Sequence, residues 1–316
     1  MVRSQRRNCI RTLKGEPYSG WVKYLYPNHN IKGLVELRDG IAHGLHVYWY
    51  GNGIKKEHTL WREGKRDGST MMWHENGQKK IEGKWVHGQR QGLFQSWYPS
   101  GQRMSRVSWV NGQREGNATN WHENGQVKLR AFYKSGLIDG AAVLWYSHGQ
   151  IKEKNHRIMG KLNGPFQSWY ENGQKKMMWN HLNGKKQGLA ERWHANGIKS
   201  EEGNFENGKP NGLAFSWHEN GRKRGEASFQ DGVMLSEKSW YSNGQISSAV
   251  VLQDGLLVTG TKWKPNGVIC SKSDVVEGNG IWVMYDENGN ESEIREYVNG
   301  HLVIKPSDDI FENPIP

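Results

Sequence analysis

The stretch NGKPNGLAFSWHENG, residues 207–221, is one copy of a pattern that determines the fold of this 316-residue chain. Its last five residues follow the pattern W-[YH]-x-N-G, which recurs every 24 residues through eight consecutive copies, with Ser or His replacing Asn in two of them. The interval then shortens to 23 residues at Trp240 and Trp263 and to 22 residues at Tyr285. A fixed period of this length is typical of repeat proteins, in which each unit packs against its neighbours.

Aromatic residues and glycines occupy fixed columns of this period. The anchor tryptophans, which begin the five-residue motif, are Trp49, Trp73, Trp97, Trp121, Trp145, Trp169, Trp193 and Trp217. The turn glycines, which end it, are Gly53, Gly77, Gly101, Gly125, Gly149, Gly173, Gly197 and Gly221. A second aromatic column lies midway at Trp61, Trp85, Trp109, Tyr133, Phe205 and Phe229, and it is interrupted by Arg157 and His181. With Trp240 and Trp263, which continue the anchor column, the two columns contain thirteen of the sixteen tryptophans, which predicts that they form the structural core of the repeat.

Each unit contains two short segments separated by turn signals. Asn-Gly and Asp-Gly pairs supply the positive φ that tight hairpin turns require. The segment 69–77 has the length of a strand, and in the segment 78–86 the residues Ile81, Gly83 and Trp85 alternate with charged residues, as in a strand. We therefore predict an all-β chain, an elongated antiparallel ribbon or solenoid of about twelve β-hairpin units of 22–24 residues.

The position two residues before the second aromatic column is often small. It is occupied by Gly83, Val107, Ala131, Gly203 and Ala227. Cross-strand contacts between aromatic side chains and their neighbours stabilise sheets. We therefore expect the small side chains to leave room for a neighbouring ring to lie across the strand.

The repeated pattern G-K-x-x-G-x-x-x-x-W-[YH]-E-N-G-Q-x-K resembles the MORN repeat, in the bacterial variant found in YwqK-like proteins, and residues 207–221 match it closely. The resemblance extends over about residues 15–300. For the classical MORN form it implies an extended antiparallel sheet, scaffolding and phospholipid binding, and for the variant it implies an antitoxin-like component. The chain lacks the Tyr-x-Gly step of the classical form, so the functions of that form transfer poorly.

The pattern also divides the chain. We predict a basic N-terminal segment at 1–14, a single MORN-like repeat array at 15–300 that is regular over 40–232 and degenerate at both ends, and a C-terminal tail at 301–316. A mean hydropathy of −0.87 argues against a membrane-spanning stretch, and the basic segment lacks the apolar core of a secretory signal. Two cysteines are too few for a disulfide framework. These features predict a cytoplasmic protein, either free or peripheral at a membrane.

The repeat offers no constellation of catalytic or metal-binding residues. Histidines follow the anchor tryptophan in four units, at His74, His122, His194 and His218. Equivalent positions in successive hairpins lie two strands apart, about 9.6 Å, whereas zinc ligands lie about 2.0–2.3 Å from the ion. The same spacing separates the carboxylates of the motif and excludes the paired carboxylates of a glycosidase. We therefore expect no enzyme, no metal site and no cofactor.

Basic residues follow the turn glycines and recur with the unit. This basic stripe consists of Lys55, Lys56, Lys79, Lys80, Arg103, Lys128, Lys152, Lys175, Lys176, Lys199, Lys223 and Arg224. A row of cations beside aromatic rings suits an anionic polymer or a membrane surface. Lysines also keep exposed strands from associating edge to edge, so the stripe equally suits a solvated surface.

The net charge of +11 is the sum of a basic region and an acidic C-terminal region. Residues 271–316 contain three basic and ten acidic residues, a charge of −7, which leaves +18 for residues 1–270. The acidic end either caps the array or docks on the basic end of another copy, which would give head-to-tail association.

These observations favour a non-enzymatic binding or scaffold protein that presents a repetitive β surface to a protein partner, in an antitoxin-like or structural role. The alternative is a binder of an anionic surface, either membrane phospholipid or a polyanion, through the basic stripe. A third interpretation is glycan binding along the tryptophans. Nucleic acid is not expected as a partner, because the chain contains no recognised RNA- or DNA-binding motif.

Overall fold

The computed structural model describes residues 12, 14–286 and 288–303. The predicted basic segment 1–14 therefore lies almost entirely outside the described residues, as does most of the predicted tail 301–316. In this part of the chain the regular elements are β-strands, with no helix. The chain divides into two compact units, Met1–Lys161 and Leu162–Pro316.

The N-terminal unit is an antiparallel meander in which each strand pairs with the next along the chain. Its strands are β1 (Gly20–Leu25), β2 (Ile31–Arg38), β3 (Ile41–Trp49), β4 (Lys55–Arg62), β5 (Lys65–Trp73), β6 (Lys79–Val86), β7 (Gln89–Trp97), β8 (Arg103–Val110), β9 (Gln113–Trp121), β10 (Val127–Lys134), β11 (Leu137–Trp145) and β12 (Ile151–Ile158).

The C-terminal unit has the same organisation, again with each strand paired antiparallel to the next. Its strands are β13 (Lys161–Trp169), β14 (Lys175–Leu182), β15 (Lys185–Trp193), β16 (Lys199–Glu206), β17 (Lys209–Trp217), β18 (Lys223–Gln230), β19 (Val233–Trp240), β20 (Ile246–Gln253), β21 (Leu256–Trp263), β22 (Ile269–Val276), β23 (Asn279–Tyr285), β24 (Glu291–Val298) and β25 (His301–Val303). The predicted all-β fold of antiparallel hairpin repeats is confirmed.

Two kinds of turn alternate along the chain. In the short turn both central residues have positive φ, for example Asn207 at 52° and Gly208 at 85°, as a type I′ hairpin turn requires. The anchor turn that follows each anchor tryptophan is longer, and only its glycine has positive φ, as at Gly53 with 82°. It is closed by hydrogen bonds such as that from Tyr50 N to Ile54 O at 2.8 Å.

A bulge lies inside the first strand of each regular unit. In the β4–β5 pair the register shifts between Thr59↔Thr70 and Trp61↔Arg66, and Gly68 on the bulged strand has a φ of 122°. The sequence predicted a strand that starts at residue 69, whereas β5 starts at Lys65. The prediction was wrong because Gly68 forms a bulge within the strand instead of ending it.

The most deeply buried side chains are small. Thr59 and Thr70 are almost completely buried and their hydroxyl groups lie 2.6 Å apart in a hydrogen bond. A Cβ atom on Gly83 would lie 2.5 Å from the ring of Phe94, so only glycine lets that ring cover the strand. This contact confirms the prediction at Gly83, whereas a Cβ atom on Gly203 would meet Ala214 at 3.1 Å and no ring.

Candidate binding surface

Tyrosine and histidine after the anchor tryptophan link each unit to the next. The hydroxyl of Tyr50 donates to Trp73 O at 2.9 Å, and Nε2 of His74 lies 2.8 Å from Trp97 O. A carbonyl only accepts, so Nε2 of His74 carries the hydrogen. The same bond is made by Tyr26, Tyr98, His122, Tyr170, His194, His218 and Tyr241. Tyrosine and histidine alternate in this column because each places a donor at the same point.

The asparagine of the motif makes a second link between units. Asn52 Oδ1 accepts from Ile54 N at 3.1 Å within its own turn, and Asn52 Nδ2 donates to Glu75 O of the next turn at 3.0 Å. Six other units repeat the donation, from Asn76, Asn124, Asn172, Asn196, Asn220 and Asn243. These polar side chains of the motif are therefore structural.

The basic stripe forms two rows that contact different rings. In the first row, Lys55 Nζ lies 5.5 Å from the ring centroid of Trp73, the anchor tryptophan of the next unit. Equivalent cation–π contacts pair Lys79 with Trp97, Arg103 with Trp121, Lys175 with Trp193, Lys199 with Trp217, and Lys223 with Trp240. In the second row Lys56, Lys152 and Lys176 lie over Tyr50, Tyr146 and Tyr170. Within the described residues, Lys80, Lys128 and Arg224 show no such ring contact and no ion pair.

Carboxylates neutralise part of the first row. Lys199 Nζ contacts Glu191 Oε1 at 2.7 Å and Glu202 Oε2 at 2.6 Å, and these hydrogen bonds raise the pKa of Lys199. Lys223 contacts Glu226 at 2.7 Å, and that hydrogen bond lowers the pKa of Glu226. Ring contacts and ion pairs thus occupy much of the basic stripe within the fold.

A third row of cations was missed by the sequence analysis. Arg66, Arg90 and Arg114 occupy the fifth position after the second aromatic column, and each lies between two rings of that column. The Arg90 Cζ atom is 5.5 Å from the centroid of Trp85 and 4.7 Å from that of Trp109. Burial, and then repulsion by the other two arginines, lowers the pKa of Arg90. Their 24-residue spacing was the available signal, but the row spans only three units.

Leucines recur on exposed positions of the strands. Leu93, Leu189 and Leu213 each precede an anchor tryptophan by four residues and are 39%, 48% and 51% exposed. A second exposed apolar position follows the second aromatic column by one residue, at Val110, Ile158 and Leu182. Leu189 and Leu213 lie in adjacent units, so apolar surface is repeated at the period of the fold.

The described residues form neither a cluster of metal ligands nor a membrane-spanning helix. They contain no group of three or more His, Cys, Asp or Glu side chains placed to hold a metal ion. They also contain no helix with the length and hydropathy needed to cross a membrane.

Comparison with known proteins links three of the units to a described repeat. The family model described as "MORN repeat variant" matches residues 90–111, 114–135 and 162–184. No curated protein matches the chain. Each matched segment spans two paired strands, β7–β8, β9–β10 and β13–β14.

Solved structures with some similarity belong to much longer chains. The crystal structure of TcdB2-TccC3-Cdc42 contains a chain with 11% identity and a TM-score of 0.16, and the match covers 87% of this chain and 17% of that one. The pore of the Photorhabdus luminescens Tc holotoxin gives 11% identity and a TM-score of 0.16 over 90% of this chain and 19% of that one. This chain thus spans less than a fifth of their length.

Proposed function

We propose that this chain is a non-enzymatic binding protein that presents its repeated strand surface to a protein partner. The observation that carries the proposal is the row of exposed leucines, with Leu189 and Leu213 about half exposed in adjacent units. The two leucines are separated by Asn204 of the intervening strand, which pairs with Leu189, so we infer that a partner contacts them at the period of the repeat. Repeat proteins use extended surfaces of this kind for binding, which agrees with the three matched MORN repeats.

The engagement of the polar side chains supports a binding role without catalysis. The tyrosine, histidine and asparagine side chains of the motif hold successive units together. Groups fixed in such bonds are poor candidates for proton transfer to a substrate. The partner surface therefore consists of apolar and charged side chains outside these links.

Site-specific crosslinking tests this proposal. A photo-reactive amino acid at position 213 is expected to capture one stoichiometric protein from the native cells, and a reciprocal purification of that protein should return this chain. The double variant Leu189→Gln/Leu213→Gln should lose the complex, whereas Lys209→Gln, at an exposed end of the same strand, should retain it. No stoichiometric partner, or equal capture by the double variant, would contradict the proposal.

We further propose the antitoxin-type role of YwqK-like proteins, in the bacterial cytoplasm, as the finer form of this function. The partner would then be a growth-inhibiting protein encoded next to this chain. Expression of the neighbouring gene alone should stop growth, and coexpression with this chain should restore it. Restoration that survives Leu189→Gln/Leu213→Gln would separate growth rescue from the leucine surface.

The second candidate function is binding to an anionic surface, and the row of Arg66, Arg90 and Arg114 favours it. Neither Arg90 nor Arg114 contacts a carboxylate among the described residues, so their charges are not neutralised by ion pairs. Such a row attracts anions, and the attraction weakens with salt. The chain should sediment with phosphatidylserine vesicles at low salt and remain in the supernatant at physiological salt.

A triple variant identifies the cations responsible. Arg66→Gln/Arg90→Gln/Arg114→Gln should abolish sedimentation, whereas Lys55→Gln/Lys79→Gln/Arg103→Gln removes the same charge from the first row of the basic stripe and should retain it. Equal loss in both variants would indicate a response to net charge alone. Absence of binding at low salt would remove this candidate.

A further inference from the structure

A groove of about 310 Å³ crosses strands β14–β19 of the C-terminal unit. Its floor is a line of four small residues on four adjacent strands, Ala190, Gly203, Ala214 and Ala227. The register places them side by side, because Ala190 pairs with Gly203, Gly203 with Ala214, and Ala214 with Ala227. The volume lies at the small end of the range for ligand pockets, about 300–1,000 Å³.

Large side chains fill the equivalent position in some of the other units. Phe94 covers Gly83 in the N-terminal unit, and Phe166 stacks on Trp179 with ring centroids 4.9 Å apart and planes at 8°. A second line of small residues, Ala118, Ala131 and Ala142, is buried beneath Tyr133 and its neighbours. In the groove, by contrast, Ala214 and Ala227 are only half-buried.

The walls combine aromatic rings with one cation. Phe205 and Phe229 of the second aromatic column line the groove together with Met234, and Trp179 lines it from β14. Lys186 Nζ lies 4.2 Å from the ring centroid of Trp179 and 4.8 Å from that of Phe205.

Lys186 is the lining cation that has no carboxylate partner among the described residues. The other lining cation, Arg192, pairs with Glu201 at 3.1 Å. Burial, and then the charge of Arg192, lowers the pKa of Lys186, against the opposing effect of Glu201.

Three of the four acidic residues that line the groove have partners outside it. Glu202 contacts Lys199 at 2.6 Å, and Glu226 contacts Lys223 at 2.7 Å. Glu237 accepts a hydrogen bond from Ser239 at 3.3 Å. An anion that enters the groove therefore finds its unpartnered cation at Lys186.

We propose that this groove binds a small amphipathic carboxylic acid. The apolar body of the acid lies on the floor of small residues, between Phe205 and Phe229, and its carboxylate contacts Lys186. The body is either a planar aromatic group or an acyl chain, since both fit an apolar trough with aromatic walls. Leu189 and Leu213 alternate along their strands with Ala190 and Ala214 and thus face the opposite side of the sheet. The groove is independent of the leucine surface.

Calorimetric titration of the full chain tests the proposal with two probes. We use 2-naphthoate for the aromatic body and octanoate for the acyl chain, with 2-naphthalenemethanol as the uncharged control. At least one of the acids is expected to bind, and the alcohol should bind about tenfold more weakly than naphthoate, since it cannot form a charge-assisted bond to Lys186. No binding by either acid would overturn the proposal.

Three variants locate the binding site. Lys186→Met should weaken binding of the acid about tenfold. Ala214→Phe should abolish binding by filling the groove, as Phe94 fills the space beside Gly83 in the native chain. Ala227→Leu is a second filling variant that keeps the test decisive if Ala214→Phe does not fold.

The matched control is Lys209→Met, which removes a cation of the same unit at an exposed strand end outside the groove lining. It should leave acid binding unchanged. Equal loss in Lys209→Met and Lys186→Met, or unchanged binding in both filling variants, would overturn the proposal. Leu189→Gln/Leu213→Gln should bind the acids normally, so failure of the leucine surface and failure of the groove give different results.

Discussion

The hydrogen bond from tyrosine or histidine to the next anchor tryptophan carbonyl is the smallest element of this fold that joins one unit to another. It needs a donor on a rigid ring that reaches this carbonyl, which Tyr50 and His74 both provide. The sequence showed the interchange of the two residues, but their function could not be derived from it. The carbonyl they reach is 22 or 23 residues away and becomes a neighbour only through strand pairing.

Replacement of His122 tests this bond. His122→Phe keeps a ring but removes the donor to Trp145 O, so we expect the free energy of unfolding to fall by about 0.5–1.5 kcal/mol. His122→Tyr restores a donor and should be close to wild type. Urea unfolding measures both, and equal loss in the two variants would show that the ring position, not the bond, is responsible.

Protonation of His46 should make the N-terminal unit sensitive to acid. Burial lowers the pKa of His46 below its ordinary value of 6.5, and the ring stacks on Trp61 at 5.2 Å. The native state therefore binds fewer protons than the unfolded state, so stability is full above pH 6.5 and falls as the pH drops below it.

The variant His46→Gln isolates this effect from other titrating groups. Between pH 7.5 and pH 5.5, the urea midpoint of wild type should fall by more than that of His46→Gln. Parallel pH profiles for the two proteins would mean that His46 does not contribute to the acid sensitivity.

At the scale of the element, the hairpin and its two turns explain what the sequence could and could not predict. Strand number and the hairpin unit followed from the two-residue alternation and the Asn-Gly pairs, because these signals are local. The bulge at Gly68 did not follow, since a glycine at a fixed period suits a turn as well as a bulge. The bulge sets the cross-strand register. For this reason the position of the arginines between the rings, and the groove beside Gly203, could not be predicted from the sequence either.

Substitution in a short turn tests the demand for positive φ. Gly112 has a φ of 78°, and an added Cβ would meet Gln89 at an ordinary 3.6 Å, so space is available. Gly112→Ala should nevertheless cost about 1–2 kcal/mol, because alanine is strained in the left-handed region. Asn111→Gly, at the other central position, should be close to neutral. Thermal unfolding distinguishes these outcomes from a purely steric effect, which would predict no loss in either variant.

At the scale of the whole molecule, each hairpin repeat is held to the next by hydrogen bonds between them. The side-chain donors of the motif bond to backbone atoms 22 or 23 residues farther along the chain. Other hydrogen bonds join residues that are 20 positions apart in the sequence, such as the bond that Asn207 N donates to Gln187 Oε1 at a short turn. Stability is therefore expected to be a sum over neighbouring units.

Deletion of residues 185–208 tests this additivity. The deletion removes one full period and joins Gly184 to Lys209, so that Leu213 and Ala214 take the places of Leu189 and Ala190. We expect a cooperatively folded protein with a urea m-value reduced in proportion to the lost surface.

Deletion of residues 185–196 is the matched control, since it removes half a period and brings the two kinds of turn out of order. It should abolish cooperative unfolding of the C-terminal unit. A folded half-period variant, or an unfolded full-period variant, would show that the links are not confined to neighbouring units.

The forward reach of these hydrogen bonds also has a genetic meaning. An exchange between misaligned copies of the gene that adds or removes a whole period leaves every donor facing an equivalent backbone carbonyl. The coding sequence is thus tolerant of recombination in steps of one repeat. The number of repeats can therefore change during evolution without any amino-acid substitution.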